Sequence, residues 1–225
     1  MARRTKEEAL ATRHKLLDAA EHLFQAQGVS RTSLQDIARH AGATRGAIYW
    51  HFKDKADLFN AMMERVTLPM EASFSHQESQ LEGAVAIDAL HRIRQATVDA
   101  LQQIVNDAQT RRVFEVATQK VEYVEELQAV RLRHLAVRHG FLSRIEQSMD
   151  AASRLTQLKL AMPTATAARG LHALIDGLIQ NWLLDPQAFD LLEVGHCVMN
   201  VYLRGLGFAS EPDPTIKSGN GSGSA

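Results

Sequence analysis

The sequence predicts an all-α protein, and three observations carry that expectation. Its 225 residues include only five prolines and 13 glycines. Apolar residues recur three and four positions apart along most of the chain, the period of a helix with one buried face. No stretch alternates apolar and polar residues as a half-buried strand would. Hydrophobic residues at 45% and charged residues at 23% belong to a folded globular chain, not a disordered one. No apolar run reaches the roughly 18 residues of a membrane-spanning helix. No apolar signal core follows the basic start Met1-Ala2-Arg3-Arg4, so a cytoplasmic protein with no membrane partner is expected. A single cysteine, Cys197, speaks against an internal disulfide and a cysteine-rich zinc site.

The helices follow in order. Thr5-Lys6-Glu7-Glu8 has the form of a capping box and opens a first helix, in which Leu16, Leu17, Ala20, Leu23 and Phe24 share a face. Gly28 is a natural left-handed stop. Ser33 with Asp36 offers the next N-cap, before Leu34, Ile37, Ala38 and Ala41, and Gly42 ends that short helix. Thr44 caps a third helix, with Ala47, Ile48 and Phe52 turned inward. Asp54 caps a fourth carrying Leu58, Phe59, Met62, Met63 and Val66, and Pro69 is expected to break or kink it. Gly83 opens a fifth helix running to Ile104, and Asp107 or Thr110 caps a shorter one with Val113, Phe114 and Val116. Val121 to Met149 reads as one long helix interrupted or bent near Gly140. Pro163-Thr164 begins another, apolar nearly all round, which implies burial on two sides. Asp185-Pro186 ends it, and Asp190 caps a last helix with Leu191, Val194, Val198, Val201 and Tyr202. From Ser210 on, the Gly/Ser-rich sequence reads as a flexible tail.

Net charge is −1, which alone argues against a nucleic-acid binder, but the average hides an asymmetry. The first 65 residues hold 11 Lys/Arg against eight Asp/Glu, or +3, and the remainder 14 against 18, or −4. A mildly basic head on an acidic body suggests two modules with different partners. Two short helices joined by a Gly-containing turn, from Leu34 to Phe52, form a helix-turn-helix pattern. The same pattern fits an ordinary helical hairpin with an aromatic core. However, Tyr49, Trp50 and His51 in succession cannot all face inward on one short helix.

These residues also carry a resemblance. Thr32-Ser33-Leu34-Gln35-Asp36-Ile37-Ala38, Ala41-Gly42 and the string from Thr44-Arg45-Gly46-Ala47 to Phe52-Lys53-Asp54-Lys55 closely resemble the DNA-binding domain of TetR-family repressors. With the opening Arg3-Arg4-Thr5-Lys6-Glu7-Glu8, they are most similar to the branch that represses multidrug efflux pumps, the AcrR and TtgR group. The resemblance spans about the first 65 residues. It implies a helix-turn-helix DNA-binding domain over 1–54, a ligand-binding and dimerisation domain over 55–209, and a tail over 210–225.

A recognition helix places its first turns in the major groove, while flanking groups hold phosphates. Arg45 is then the candidate for guanine or phosphate, and Thr44 for a phosphate or a thymine methyl. Gly46 allows close backbone approach, Tyr49 and His51 donate to phosphates, and Trp50 packs on sugar or backbone. Lys55 resembles the family's phosphate-binding lysine, and Thr32 and Ser33 are candidates for the same role. Arg3, Arg4 and Lys6 form a basic arm, either in the minor groove or merely solvated. The resemblance also implies a ligand pocket near Ala96, Thr97, Ala100, Phe114, Thr118, His172, Ile175 and Asp176, suited to hydrophobic, aromatic or cationic inducers. A homodimer is expected through Leu178, Ile179, Trp182, Val194, Val198, Val201 and Tyr202, with Gly170, Gly177, Gly195 and Gly205 admitting close approach.

No catalytic motif, metal-ligand spacing or cofactor loop is visible, so neither an enzyme nor a cofactor is expected. The basic run Arg131, Arg133, His134, Arg138, His139 and Arg144 reads as a solvated face. The expected partners are double-stranded operator DNA, a small-molecule inducer and a second copy of the chain. Two alternatives stay open: a regulator of the same type with another inducer, and a helical ligand-binding or interaction protein without DNA binding.

Overall fold

Nine α-helices and no strand make up the described residues of the computed structural model, which are 6–79 and 86–208, the side chains of 68–79 and 86–88 excepted. They are α1 (Lys6–Gln27), α2 (Leu34–His40), α3 (Arg45–His51), α4 (Lys55–Ser79), α5 (Ala86–Asn106), α6 (Ala108–Gln119), α7 (Gln128–Leu155), α8 (Thr164–Leu184) and α9 (Leu191–Gly205). A 3-10 turn, Glu125–Leu127, precedes α7. The Thr5 cap, Arg3-Arg4, the Gly83 helix start and the tail lie outside the described residues.

Most boundaries are set by caps legible in the sequence. Gly28 takes φ +87° and donates its N–H to the Phe24 carbonyl at 2.9 Å, which stops α1. Asp57 N–H donates to Asp54 Oδ1 at 2.8 Å while Lys53 N–H donates to Asp57 Oδ2 at 2.9 Å, so α4 starts with a reciprocal cap. Asp190 accepts from the amides of Leu192 and Glu193 at the start of α9. Asp107 accepts from those of Gln109 and Thr110, and the Thr110 hydroxyl donates to it as well, so Asp107 is the cap of α6 and Thr110 only its support.

Two expectations about helix extent are corrected. The segment from Val121 is not helical, and α7 begins only at Gln128. A continuing helix would need the Lys120 carbonyl for its own ladder, but that carbonyl accepts the Val29 N–H at 3.0 Å. Gly140 then lies inside an unbroken α7. Likewise, α4 runs through Pro69 to Ser79. Proline removes one amide from the ladder, and the turns before it are held by buried Leu58, Phe59, Met62 and Val66.

Three apolar clusters fill the interior. The first joins Leu16, Phe24, Ile48 and Phe59 of the N-terminal helices to Val113 and Val116 of α6. The second packs Leu90 and Ile93 of α5 with Met149 of α7, Leu171 of α8 and Leu203 of α9. The third holds Leu101 and Ile104 of α5 against Ile179 and Trp182 of α8 and Leu191 of α9. Between α1, α4 and α6 lies a buried carboxylate. Glu21, 1% exposed, accepts from Arg65 Nη1 at 3.0 Å and Gln109 Nε2 at 2.9 Å, with Arg112 Nη1 at 3.6 Å. Burial pushes its pKa up, while Gln109, Arg65 and Arg112 pull it back.

Removing the α6 cap gives a direct check on this assembly. The Thr110 hydroxyl and the backbone amides hold the Asp107 carboxyl below its ordinary range. Its contribution is therefore complete above the unfolded value and lost as pH falls through the depressed folded one. Asp107→Ala is expected to cost about 0.5–2 kcal/mol in urea unfolding at neutral pH, and the gap to wild type should narrow in acid. A gap independent of pH would mean that the carboxylate charge is not what stabilises the cap.

Candidate nucleic-acid interface and ligand cavity

The head presents one short helix outward. Ser33 and Asp36 form a full capping box at α2, with Asp36 N–H donating to Ser33 Oγ at 3.1 Å and Ser33 N–H to Asp36 Oδ2 at 3.2 Å. The Ser33 hydrogen bonds depress the Asp36 pKa. Gly42, at φ +66°, turns the chain, and Ala47 N–H donates to Thr44 Oγ1 at 3.2 Å to start α3. Ile48 and Phe52 anchor α3 in the core. The opposite face holds exposed Thr44, Arg45 and Gly46, with Tyr49 50% and Trp50 72% exposed. The Arg45 guanidinium lies 5.8 Å from the Tyr49 ring centre, and Trp50 meets the half-buried His51 edge-on at 4.5 Å. One face thus combines a guanidinium, hydroxyls and aromatic surface, the groups that reach base edges and phosphates.

Two expected members are not on that face. Thr32 is 1% exposed, its hydroxyl donating to the Gly28 carbonyl at 2.8 Å and accepting from Gln27 Nε2 at 3.1 Å. The turn after α1 uses it internally. Lys55 is 9% exposed, and its ammonium donates to the Ser30 carbonyl at 3.3 Å and pairs with Glu126 at 3.4 Å. The 3-10 turn before α7 draws it toward the body. The exposed lysine just after α3 is Lys53, which the sequence reading passed over. Its backbone N–H donates to Asp57 Oδ2 at 2.9 Å.

In the body, α5, α6, α7 and α8 enclose a cavity of about 500 Å³. Of the eight expected residues, Ala96, Thr97, Ala100, Phe114, His172, Ile175 and Asp176 line it. Thr118 does not line it, and its hydroxyl donates back to the Phe114 carbonyl at 2.8 Å along α6. Burial lowers the His172 pKa and so favours the neutral ring, against the pull of the Asp176 carboxylate toward the charged one. The sequence reading missed the α7 wall of Phe141, Arg144, Ile145, Gln147 and Ser148. Arg131, His134, Arg138 and His139 do face solvent, but Arg144 departs from that face. Phe141, Ile145 and Ser148 stand at i, i+4 and i+7, a helical stripe that would have marked the wall.

On the outer side of α8 and α9, the expected dimer residues divide. Ile179 and Trp182 belong to the third core cluster, with Arg111 stacked 5.0 Å from the Trp182 ring centre. Tyr202 packs on the second cluster and donates to the Ala167 carbonyl at 2.9 Å. These three complete the monomer. Val201 at 60% exposure, Leu174 at 39% and Leu184 at 72% remain outside, with Leu178, Val194 and Val198 half-buried beside them. The glycines divide in the same way. A β-carbon at Gly170 would overlap the Tyr202 hydroxyl, and one at Gly195 would lie 2.5 Å from Leu101 Cδ1, whereas Gly177 and Gly205 face open space.

Residues 16–62 match the tetR family of bacterial regulatory proteins, and residues 88–208 match the C-terminal region of the MAATS-type transcriptional repressors. The chain belongs to the TetR family. The TetR-family regulator AcrR of Shigella flexneri is 39% identical to it over 191 residues, 85% of this chain and 87% of that one. TtgR of Pseudomonas putida is 37% identical over 192 residues, 85% and 90% of the two chains. The crystal structure of NalD, the secondary repressor of the MexAB-OprM multidrug efflux pump in Pseudomonas aeruginosa, gives a TM-score of 0.77 at 36% identity, over 88% of this chain and 97% of that one. The complex of SmeT with triclosan gives 0.76 at 29% identity, over 91% and 99%. This TetR-type protein is thus a transcriptional repressor close to regulators of multidrug efflux pumps, and not an enzyme. Among the described residues, no cluster could hold a metal ion, and no helix is long and apolar enough to cross a membrane.

The division of the α8 and α9 glycines yields a stability test within the TetR body. Gly170→Ala is expected to lose about 1–3 kcal/mol in urea unfolding, because Tyr202 has to move. Gly177→Ala should leave stability unchanged or raise it by up to about 1 kcal/mol through helix propensity. Equal effects at the two positions would contradict the packing described.

Proposed function

We propose that the protein is a ligand-responsive repressor that binds a palindromic operator as a homodimer and is released when a small molecule enters the α5–α8 cavity. It acts in the cytoplasm, and its target is a multidrug efflux pump operon, by analogy with NalD and SmeT, whose structures are described as those of efflux pump repressors. One observation supports the switch above others. Helix α6 is a wall of the cavity through Phe114 and part of the head core through Val113 and Val116. Close-packed side chains do not deform continuously, so a ligand that displaces Phe114 also loads the packing under the DNA-reading helices. The required coupling is a difference in ligand affinity between two states, typically about 1–3 kcal/mol.

On this reading residues 1–54 form the DNA-reading head and 55–209 the ligand-binding and dimerisation body. Thr44, Arg45, Gly46, Tyr49, Trp50 and His51 approach the major groove, with Ser33 and Lys53 toward phosphates. Two heads related by a two-fold axis read half-sites about one helical turn apart. The outward residues Leu174, Leu184 and Val201, flanked by Leu178, Val194 and Val198, supply the dimer face.

Arg45→Ala is expected to weaken operator binding by about 1–3 kcal/mol and to relax preference at one base pair per half-site. Titrations against all single-base operator variants measure both effects. Uniform weakening would assign Arg45 to a phosphate, and no weakening would sink the DNA reading. Val201→Arg should convert dimer to monomer in light scattering and abolish tight operator binding. An intact Val201→Arg dimer would place the interface elsewhere.

A further inference from the structure

We propose that Glu21 is a positioning residue for the ligand switch: its carboxylate, in a polar seam between α1 and α6, makes α1 move with α6, so that a change at the cavity wall reaches α3 through α1. This rests on the ligand-responsive reading above and names the contact that carries the response.

The seam has three rungs. Glu21 accepts from Gln109 Nε2 at 2.9 Å, with Arg112 Nη1 at 3.6 Å. One turn along α1, Gln25 Nε2 donates to Glu115 at 2.7 Å. Just beyond α1, Val29 N–H donates to the Lys120 carbonyl at 3.0 Å. Residues four apart on α1 thus meet successive turns of α6, so the two helices lie along each other. Phe114, next to Glu115, lines the cavity.

Of the three rungs, Glu21 leaves α6 the least freedom. It is 1% exposed, so a donor lost there is not replaced by water. Arg65 of α4, which also bonds Asp18, donates to the same carboxylate at 3.0 Å. A displaced α6 therefore either pulls its donors off a buried charge or takes α1 with it, and the second costs less. Val113 and Val116 also join α6 to the head core, but apolar contact is non-directional. Hydrogen bonds, by contrast, weaken steeply when misaligned.

The other end of α1 reaches α3. The Arg13 guanidinium lies 5.2 Å from the ring centre of Phe52, the C-cap residue of α3. Leu16 and Leu17 share the first cluster with Ile48 of α3. Helix α1 is thus in contact with the cavity-wall helix through Glu21 and with α3 two turns earlier.

The test puts a known occupant into the cavity and needs neither a natural ligand nor an operator. Cys197 is the single cysteine of the chain, so in full-length Thr97→Cys/Cys197→Ala the one thiol stands on the cavity lining. Methyl or benzyl methanethiosulfonate then attaches a small or a large group through a disulfide, verified by mass. Ser148→Cys, at another lining position, takes the place of Thr97→Cys if that thiol does not react. Hydrogen–deuterium exchange over residues 34–51 is compared between the two adducts, with and without Glu21→Gln. The benzyl adduct should change that exchange about fivefold or more relative to the methyl adduct, the lower end of an allosteric coupling. With Glu21→Gln the difference should fall to about twofold or less, the range in which independent sites add. Ile37→Val, a buried change in α2 outside the seam, should keep the full response. Thermal melts check folding, and if Glu21→Gln does not fold, Gln109→Ala should lower the response at least about twofold, beyond simple additivity. A response that persists with Glu21→Gln would overturn the role of Glu21 and leave the ligand switch standing. A response lost equally with Ile37→Val would reduce Glu21 to a stabilising residue and overturn the proposal. Adducts that leave the head alike in the Glu21 protein would refute the switch itself, and this inference with it.

Discussion

A carboxylate that cannot be left unpaired governs how the head sits on the body. Glu21 is enclosed by α1, α4 and α6, and an ionised group out of water costs several kcal/mol unless partners replace its hydration. Those partners are Arg65 from α4 and Gln109 and Arg112 from α6. Arg65 also bonds Asp18, one turn earlier on α1, at 2.7 Å. Apolar side chains in the same junction could slide or repack, but donors converging on one carboxylate tolerate little movement. The position of α6 is fixed by that requirement. Phe114 and the cavity wall follow from α6, as does the path of the chain beyond it.

That path is a second tie between the two parts. After α6, the chain crosses the head as an extended strap before α7. The Lys120 carbonyl accepts from Val29 N–H, Glu122 accepts from the Ser30 hydroxyl at 3.1 Å, and Glu126 holds Lys55. In the middle of the strap the Tyr123 hydroxyl lies 3.3 Å from His134 Nδ1 on α7. The strap thus touches the turn between α1 and α2 and the first turn of α4, on either side of α2 and α3. Helix α6 and the strap are consecutive in sequence, so a shift of one carries the other with it.

The head was the most legible part of the sequence because its information is local. Ser33, Thr44, Asp54 and Gly28 each act within four residues of themselves, and those short ranges can be read without knowing the fold. The errors arise where a distant partner takes over a local group. Lys120 gives its carbonyl to Val29, which ends the helical reading at Val121. Lys55 is taken by Glu126, 71 positions away in the sequence, and Ile179, Trp182 and Tyr202 are claimed by the monomer core. The α7 wall was missed for a different reason. Four arginines and two histidines recur over Arg131–Arg144, and reading them as one basic face masked the apolar stripe that begins at Phe141.

The chain has two tryptophans, and the fold puts them in opposite surroundings. Trp50 stands in water on α3, whereas Trp182 is 6% exposed under Arg111, in the cluster with the cavity-lining Ile104 and Ile179. An indole emits at longer wavelength in water than in an apolar site, so intrinsic fluorescence is resolved into two windows without any label. The red part of the spectrum reports on what covers the head, and the blue part on what happens beside the cavity. Each phenylalanine version, Trp50→Phe or Trp182→Phe, isolates one window, so occupancy and its consequence at the head can be timed in the same cuvette.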